Sequence, residues 1–239
     1  MAIVKILIVG AGRAGSSFAT ALAPSHEVRV AHHEEVGGVV DDDVDLVLLC
    51  VRDDVIAETS RRLAVAASTV VAHVAGSRGL EVLGAHERVG SIHPLVTMPD
   101  AVIGAQRLHG AVFAVAGDTL LMEVVASLGG RVIDVPPDRR VVYHAAAAAA
   151  ANHLVALMGH VEALAVSCGL RLQDFLTLAQ QALEDVARVG ASAALTGPAS
   201  RGDVETISAH LAAIAPDERV TYAVLAERAQ RLADEARER

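Results

Sequence analysis

The 239-residue sequence has no tryptophan, two tyrosines and three phenylalanines. A core built from it must be aliphatic, and an apolar fraction of 53% is enough for one large domain or two modest ones. Lysine is almost absent: Lys5 is the sole example, and the remaining positive charge is arginine. The net charge of −9 and the lack of a basic cluster exclude nucleic acid as an expected partner. Cys50 and Cys168 are the only cysteines, far apart and without metal-ligand spacing. They read as reduced and buried in a cytoplasmic protein, with no metal site. No signal peptide is visible, because the first apolar run is short and meets glycines at once. The richest later run, 145–151, is alanine between His144 and Asn152-His153, so no membrane span is expected.

The chain is organised around its start. Ile3–Val9 is apolar apart from Lys5 and rich in β-branched residues, which predicts a buried parallel strand. Gly10-Ala11-Gly12-Arg13-Ala14-Gly15 follows, then a helix-compatible stretch ending at Pro24. Glycines in this spacing between a strand and a helix form a dinucleotide-binding fingerprint. Gly10 permits the turn, Gly12 lets a pyrophosphate reach the backbone, and Gly15 lets the helix pack closely. The free N–H groups of the helix start, including those of Arg13 and Ala14, face the phosphates. A second strand, 27–31, ends in Ala31-His32-His33, where an acid for the ribose diol is expected. Its absence, with Arg13 in the loop and His32 in the acid's place, favours NADP(H) over NAD(H). The alternative gives the diol to Glu34 or Glu35.

Further strands are expected at 45–51, 68–74, 89–92, 111–116 and 131–135, with helices at 54–66 and 118–128. Alternating strands and helices predict an α/β fold with a doubly wound, mostly parallel Rossmann sheet. Ligands in such sheets lie beyond the carboxyl ends of the strands. Val51, Arg52 and Gly76 are therefore candidate cofactor residues, and Ala75, Ser77 and His93 candidate walls. Pro136-Pro137 marks a boundary, giving a dinucleotide-binding domain at 1–136 and a smaller all-helical substrate and dimerisation domain at 137–239. In the latter, helices are expected from Asp138 to about Cys168, with Gly169 as C-cap, then at 171–188, 203–214 and 217–237. The alanine stripe suits close helix contact, so a homodimer is expected.

Several segments together resemble a family of Rossmann-like NADP-dependent oxidoreductases whose helical C-terminal domain is of unknown function. They are the glycine loop, Ser91-Ile92-His93-Pro94-Leu95, Tyr143-His144-Ala145-Ala146, Asn152-His153-Leu154, and Ala194-Leu195-Thr196-Gly197-Pro198 with Arg201-Gly202-Asp203. The architecture is more distantly similar to ketopantoate reductase, pyrroline-carboxylate reductase, prephenate dehydrogenase and 6-phosphogluconate dehydrogenase-like proteins. The resemblance implies reduction of a small 2-keto acid, ketopantoate first, or a dehydrogenase of the prephenate or pyrroline-carboxylate type. One departure matters: ketopantoate reductases and 6-phosphogluconate dehydrogenases use a lysine on the first long helix of this domain, and no lysine follows Lys5. A non-catalytic NADP(H)-binding sensor is the rival reading.

Reduction of a ketone needs a proton for its oxygen, and histidine is the natural donor near neutrality. His144, Ala148 and Asn152 share a face at α-helical spacing. His144 and Asn152 are thus expected in the cleft, with Asn152 on the substrate carbonyl. His153, which shares a different face with His160, is left to packing. His93, stiffened by Pro94, is the second candidate donor. His73 reads as a core histidine. Arg201, with Thr196, is the candidate clamp for a small-molecule carboxylate; Asp203 is expected to cap the next helix.

Overall fold

In the computed structural model, residues 2–34, 36–84 and 86–237 are described. Glu35, one of the two acids considered for the ribose, lies outside them. Chain contacts define two compact units, 1–151 and 152–239. The division falls beyond Pro136-Pro137, so the first residues after that break belong with the first unit.

The first unit holds strands β1 (Lys5–Val9), β2 (Glu27–Ala31), β3 (Gly38–Val39), β4 (Leu46–Leu49), β5 (Leu63–Ala64), β6 (Val70–His73), β7 (Arg88–Pro94), β8 (Val112–Gly117) and β9 (Arg131–Ile133). Among the described residues seven of these form one sheet, ordered β2-β1-β4-β6-β7-β8-β9. Every pairing in it is parallel except β7 with β8. Along β4, Leu46 and Leu48 enter one aliphatic core while Val47 and Leu49 enter the other. Burial on both faces is why this strand reads as an unbroken apolar run. The order reverses between β1 and β4, where open α/β sheets bind ligands.

Helices α1 (Arg13–Leu22), α2 (Ile56–Arg61), α3 (Ala101–Leu108), α4 (Leu120–Ser127) and α5 (Arg140–Ala148) complete the unit. The helix expected over 54–66 is cut to α2, because Leu63-Ala64 pairs with Gly38-Val39 instead. Helix α3 has no counterpart in the sequence reading; Asp100 starts it by accepting the Ile103 N–H at 2.8 Å.

The helix expected from Asp138 is interrupted. A π-helical segment, Ala149–His153, separates α5 from α6 (Leu154–Ser167). The second unit continues with α7 (Gln173–Val189), α8 (Ala191–Ala194), α9 (Pro198–Arg201), α10 (Val204–Ala213) and α11 (Arg219–Arg237). Only Ala165, Ile207 and Ala233 are buried hydrophobics among its described residues. The helix 137–167 is long and apolar enough to cross a membrane by length and composition, contrary to the sequence expectation, and its most apolar stretch is not buried within this chain. Cys50 is buried as expected, but Cys168 is exposed, because α6 ends there and Gly169 turns the chain away at φ +74°.

Candidate functional site

The glycine loop lies at the reversal between β1 and β4. Gly10 has φ +111°, a conformation that suits glycine, and its N–H donates to Ala31 O at 2.8 Å. A Cβ on Gly10 would stand 2.5 Å from Cys50 O and 3.3 Å from a Val51 methyl carbon, so Val51 forms the wall against the turn. On Gly15 it would stand 1.8 Å from Gly10 O. The close packing that the sequence spacing implies is thus present. Gly12 differs: it caps α1, and a Cβ there would meet nothing within 4 Å. Its backbone faces open space. Among the described residues no side chain caps the helix, so the first N–H groups of α1, from Arg13, Ala14 and Gly15, have no partner within it. This is a ready anion site.

β2 ends at Ala31, and His32 follows it exposed. Among the described residues no acid sits at the strand end; Glu34 is exposed, and its carbonyl accepts from Arg62 Nη2 at 3.2 Å. Arg52, at the end of β4, is 84% exposed in its side chain and forms a two-pronged pair with Asp54. The neighbouring Asp53 accepts from Ser77 Oγ at 3.0 Å, which ties the ends of β4 and β6 together.

A second cluster stands at the ends of β6 and β7. His93 comes from β7, and Arg140, Tyr143 and His144 come from one face of α5 at i, i+3 and i+4. His93 Nδ1 and the Tyr143 hydroxyl share a 2.7 Å hydrogen bond. The two rings meet edge-on with centroids 5.5 Å apart, and His144 lies on the His93 ring at 5.8 Å. Gly76 is the floor. A Cβ there would come within 2.6 Å of His144 Cδ2 and 2.8 Å of the His93 ring. Arg140 reaches in from the start of α5 and donates from Nη2 to Ala75 O at 3.1 Å.

Burial pushes the His93 imidazole down to about 4, with His144 and the Arg140 charge adding to it. Burial also holds the Tyr143 phenol above its ordinary value. Both groups are neutral at pH 7. When the phenol donates to Nδ1, the ring proton is on Nε2; the opposite assignment leaves the phenol oxygen as acceptor. His73 is the core histidine expected: Nδ1 accepts from the Ala75 N–H at 3.2 Å, so Nε2 donates to Gly79 O at 3.1 Å.

The sequence candidates are only partly brought together. His93, His144 and Gly76 meet; Asn152, Thr196 and Arg201 lie in the second unit, all exposed. The α-helical repeat that would stack Asn152 above His144 stops at Ala148, where the π segment begins. At the start of α6 His153 is exposed, against the expectation of packing, while His160, further along the helix, is buried and bonded to Glu218. Asp203 caps α10 as expected, accepting from the Thr206 N–H at 3.0 Å and its hydroxyl at 2.7 Å. Arg140 and Tyr143 were not singled out for the site. Their i, i+3, i+4 spacing with His144 was the available signal.

Residues 112–229 match the family described as a domain of unknown function, DUF2520. The DUF2520 match takes in β8 and most of the C-terminal helices, with Arg140, Tyr143, His144 and Asn152 inside it. No curated protein matches the sequence. Solved structures resemble the fold. A candidate NADP oxidoreductase of Bacteroides fragilis has 20% identity and a TM-score of 0.76, over 96% of this chain and 98% of that one. A reductive aminase of Aspergillus terreus, in complex with NADPH4, cyclohexanone and allyl amine, has 17% identity and a TM-score of 0.69, over 96% and 94%. A pyrroline carboxylate reductase of Plasmodium falciparum, with NADP bound, has 12% identity and a TM-score of 0.58, over 96% and 98%. At these identities the likeness is one of fold.

Proposed function

We propose that the chain is a cytoplasmic NADP(H)-dependent oxidoreductase that reduces a small 2-keto acid, with ketopantoate the first substrate to test. The observation that carries this reading is the open Gly12 backbone at a helix start without a side-chain cap, in the same unit as a neutral imidazole–phenol pair that joins the end of β7 to α5. The residues fit the cofactor. Gly10, Gly12, Arg13, Ala14 and Gly15 would hold the pyrophosphate, and the missing acid after β2 leaves room at His32 for a phosphorylated ribose. Val51, Arg52 and Gly76 would complete the wall. When bound, NADPH supplies the hydride.

The chain's own groups manage the proton. Tyr143, kept protonated, gives its hydroxyl proton to the oxygen of the reduced carbonyl. His93 then passes its Nδ1 proton to the Tyr143 oxygen and takes one from solvent water at Nε2, which restores both groups to their neutral forms. With its imidazole at about 4, His93 acts at pH 7 as a neutral relay and not as an imidazolium donor. This replaces the missing helix lysine. His144 orders the His93 ring edge-on.

A second reading, a reductase of the pyrroline-carboxylate type, is favoured by the likeness to the pyrroline carboxylate reductase. NADPH oxidation against a panel of 2-keto acids and cyclic imines decides between them. Tyr143→Phe is expected to lower kcat about a hundredfold, while the NADPH dissociation constant stays within about twofold. Tight NADPH binding without turnover of any panel member would favour the sensor reading. Preference for NADH would remove the NADP assignment. We also propose that a second copy covers the apolar face of 137–167.

A further inference from the structure

Arg140 is only 3% exposed, and no other arginine, lysine or carboxylate among the described residues is buried. Among the described residues its side chain makes a single hydrogen bond, to Ala75 O, and its Nε–H is buried without an acceptor. Polar groups in that position are nearly always satisfied. A guanidinium removed from water without a counter-charge is costly, and burial works against its charge here. Tyr143 and Glu81 favour the charge electrostatically, but neither is bonded to it. Asp53, the acid near the strand ends, is held by Ser77. A planar fork with unused donors matches a carboxylate. Beside it stand the neutral His93, the Tyr143 hydroxyl and His144, over a floor that Gly76 keeps free of a side chain.

We propose that Arg140 anchors the carboxylate of a small 2-oxo acid, held against the Arg140–Tyr143–His144 face of α5 at the ends of β6 and β7. This rests on the reductase reading and assigns the substrate's acid group to Arg140 in place of Arg201. Arg201 is exposed and already solvated, and binding an anion relieves no buried charge there. The keto oxygen of an acid so held is offered to the Tyr143–His93 pair. Phosphate shares the anionic chemistry, so the test includes it.

With only two tyrosines in the chain, fluorotyrosine labelling gives two fluorine resonances, assigned by Tyr222→Phe. The full-length, cofactor-free protein is titrated at constant ionic strength with 2-oxobutanoate, with butanone and with inorganic phosphate. A saturable shift of the Tyr143 signal by 2-oxobutanoate, absent with butanone and much weaker with phosphate, is expected. Arg140→Gln should weaken it on the order of ten- to a hundredfold, and Arg139→Gln should leave it unchanged. No saturable shift in the wild type, equal binding of phosphate or butanone, or wild-type affinity in Arg140→Gln would each overturn the proposal. If Arg140→Gln does not fold, the wild-type comparison of oxo acid with ketone decides, with Arg140→Lys as the second variant. NADPH binding is followed on the same samples by fluorescence. Loss of NADPH binding with oxo-acid binding intact would sink the reductase reading and leave the Arg140 site standing. The converse would do the opposite.

Discussion

Gly12→Ala separates cofactor binding from folding more cleanly than any other change in the glycine loop. Gly12 has φ −71° and ψ −173°, which alanine adopts without strain, and its Cβ would meet nothing within 4 Å. Alanine is a poorer N-cap than glycine by roughly 0.5–1 kcal/mol. Loss of glycine's freedom in the unfolded chain offsets that by roughly 0.4–1 kcal/mol. The net change in stability is therefore within about 1 kcal/mol, or about 2–4 °C in Tm for a chain of this size. The new methyl does, however, occupy the space through which a pyrophosphate would approach the backbone. NADPH affinity, read by fluorescence titration, should fall at least about tenfold, which is about 1.4 kcal/mol. Gly15→Ala is the contrasting case. Its Cβ would lie 1.8 Å from a backbone oxygen that has no rotamer to retreat into, so the fold itself should fail. A Gly12→Ala protein with unchanged Tm and an NADPH dissociation constant within about twofold of wild type would refute phosphate approach at this point.

Three further outcomes are expected. Gly76→Ala drives a methyl into the His93 and His144 rings, so it should cost roughly 1–3 kcal/mol in urea unfolding and lower turnover more than NADPH affinity; wild-type turnover would show that the ring arrangement is not used. The folded His93 imidazole lies at about 4, below its ordinary 6.5, so between these values the unfolded chain holds a proton that the folded chain does not. Stability therefore rises from pH 4 to pH 6.5 and is flat above, with His26 and His73, also lowered by burial, adding in the same direction. From pH 7 to pH 5 the His93 share is about 2 kcal/mol, and His93→Gln should remove it; an unchanged difference in the variant would contradict the assignment. Finally, sedimentation without detergent should give a dimer at micromolar concentration, and a monomer there, or a protein that needs detergent, would remove the second-copy proposal for 137–167.

What could be read from the sequence was whatever depends on neighbours in the chain. The strand of Lys5–Val9, the glycines after it and the break at Ala31-His32 each follow from local rules, and they stand where those rules put them. What could not be read depends on geometry between segments or on small departures from regular repeats. Leu63-Ala64 is helix-compatible by itself and becomes a strand because Gly38-Val39 is there to pair with it. The π segment at Ala149–His153 lies in alanine, asparagine and histidine that would equally suit an α-helix, so extrapolating an α-helical repeat from His144 to Asn152 crosses a change of pitch that the composition does not announce. Arg140 shows the same limit at the site. At the head of a long helix, next to Arg139, it reads as a solvated charge. What distinguishes the two is which side of the helix faces the strands: Arg139 stays exposed beside Asp138, whereas Arg140 shares the inward face with Tyr143 and His144. Once that face is fixed, the arginine is buried, the phenol meets an imidazole, and a helix that reads as an alanine stripe carries the polar groups a keto acid would need.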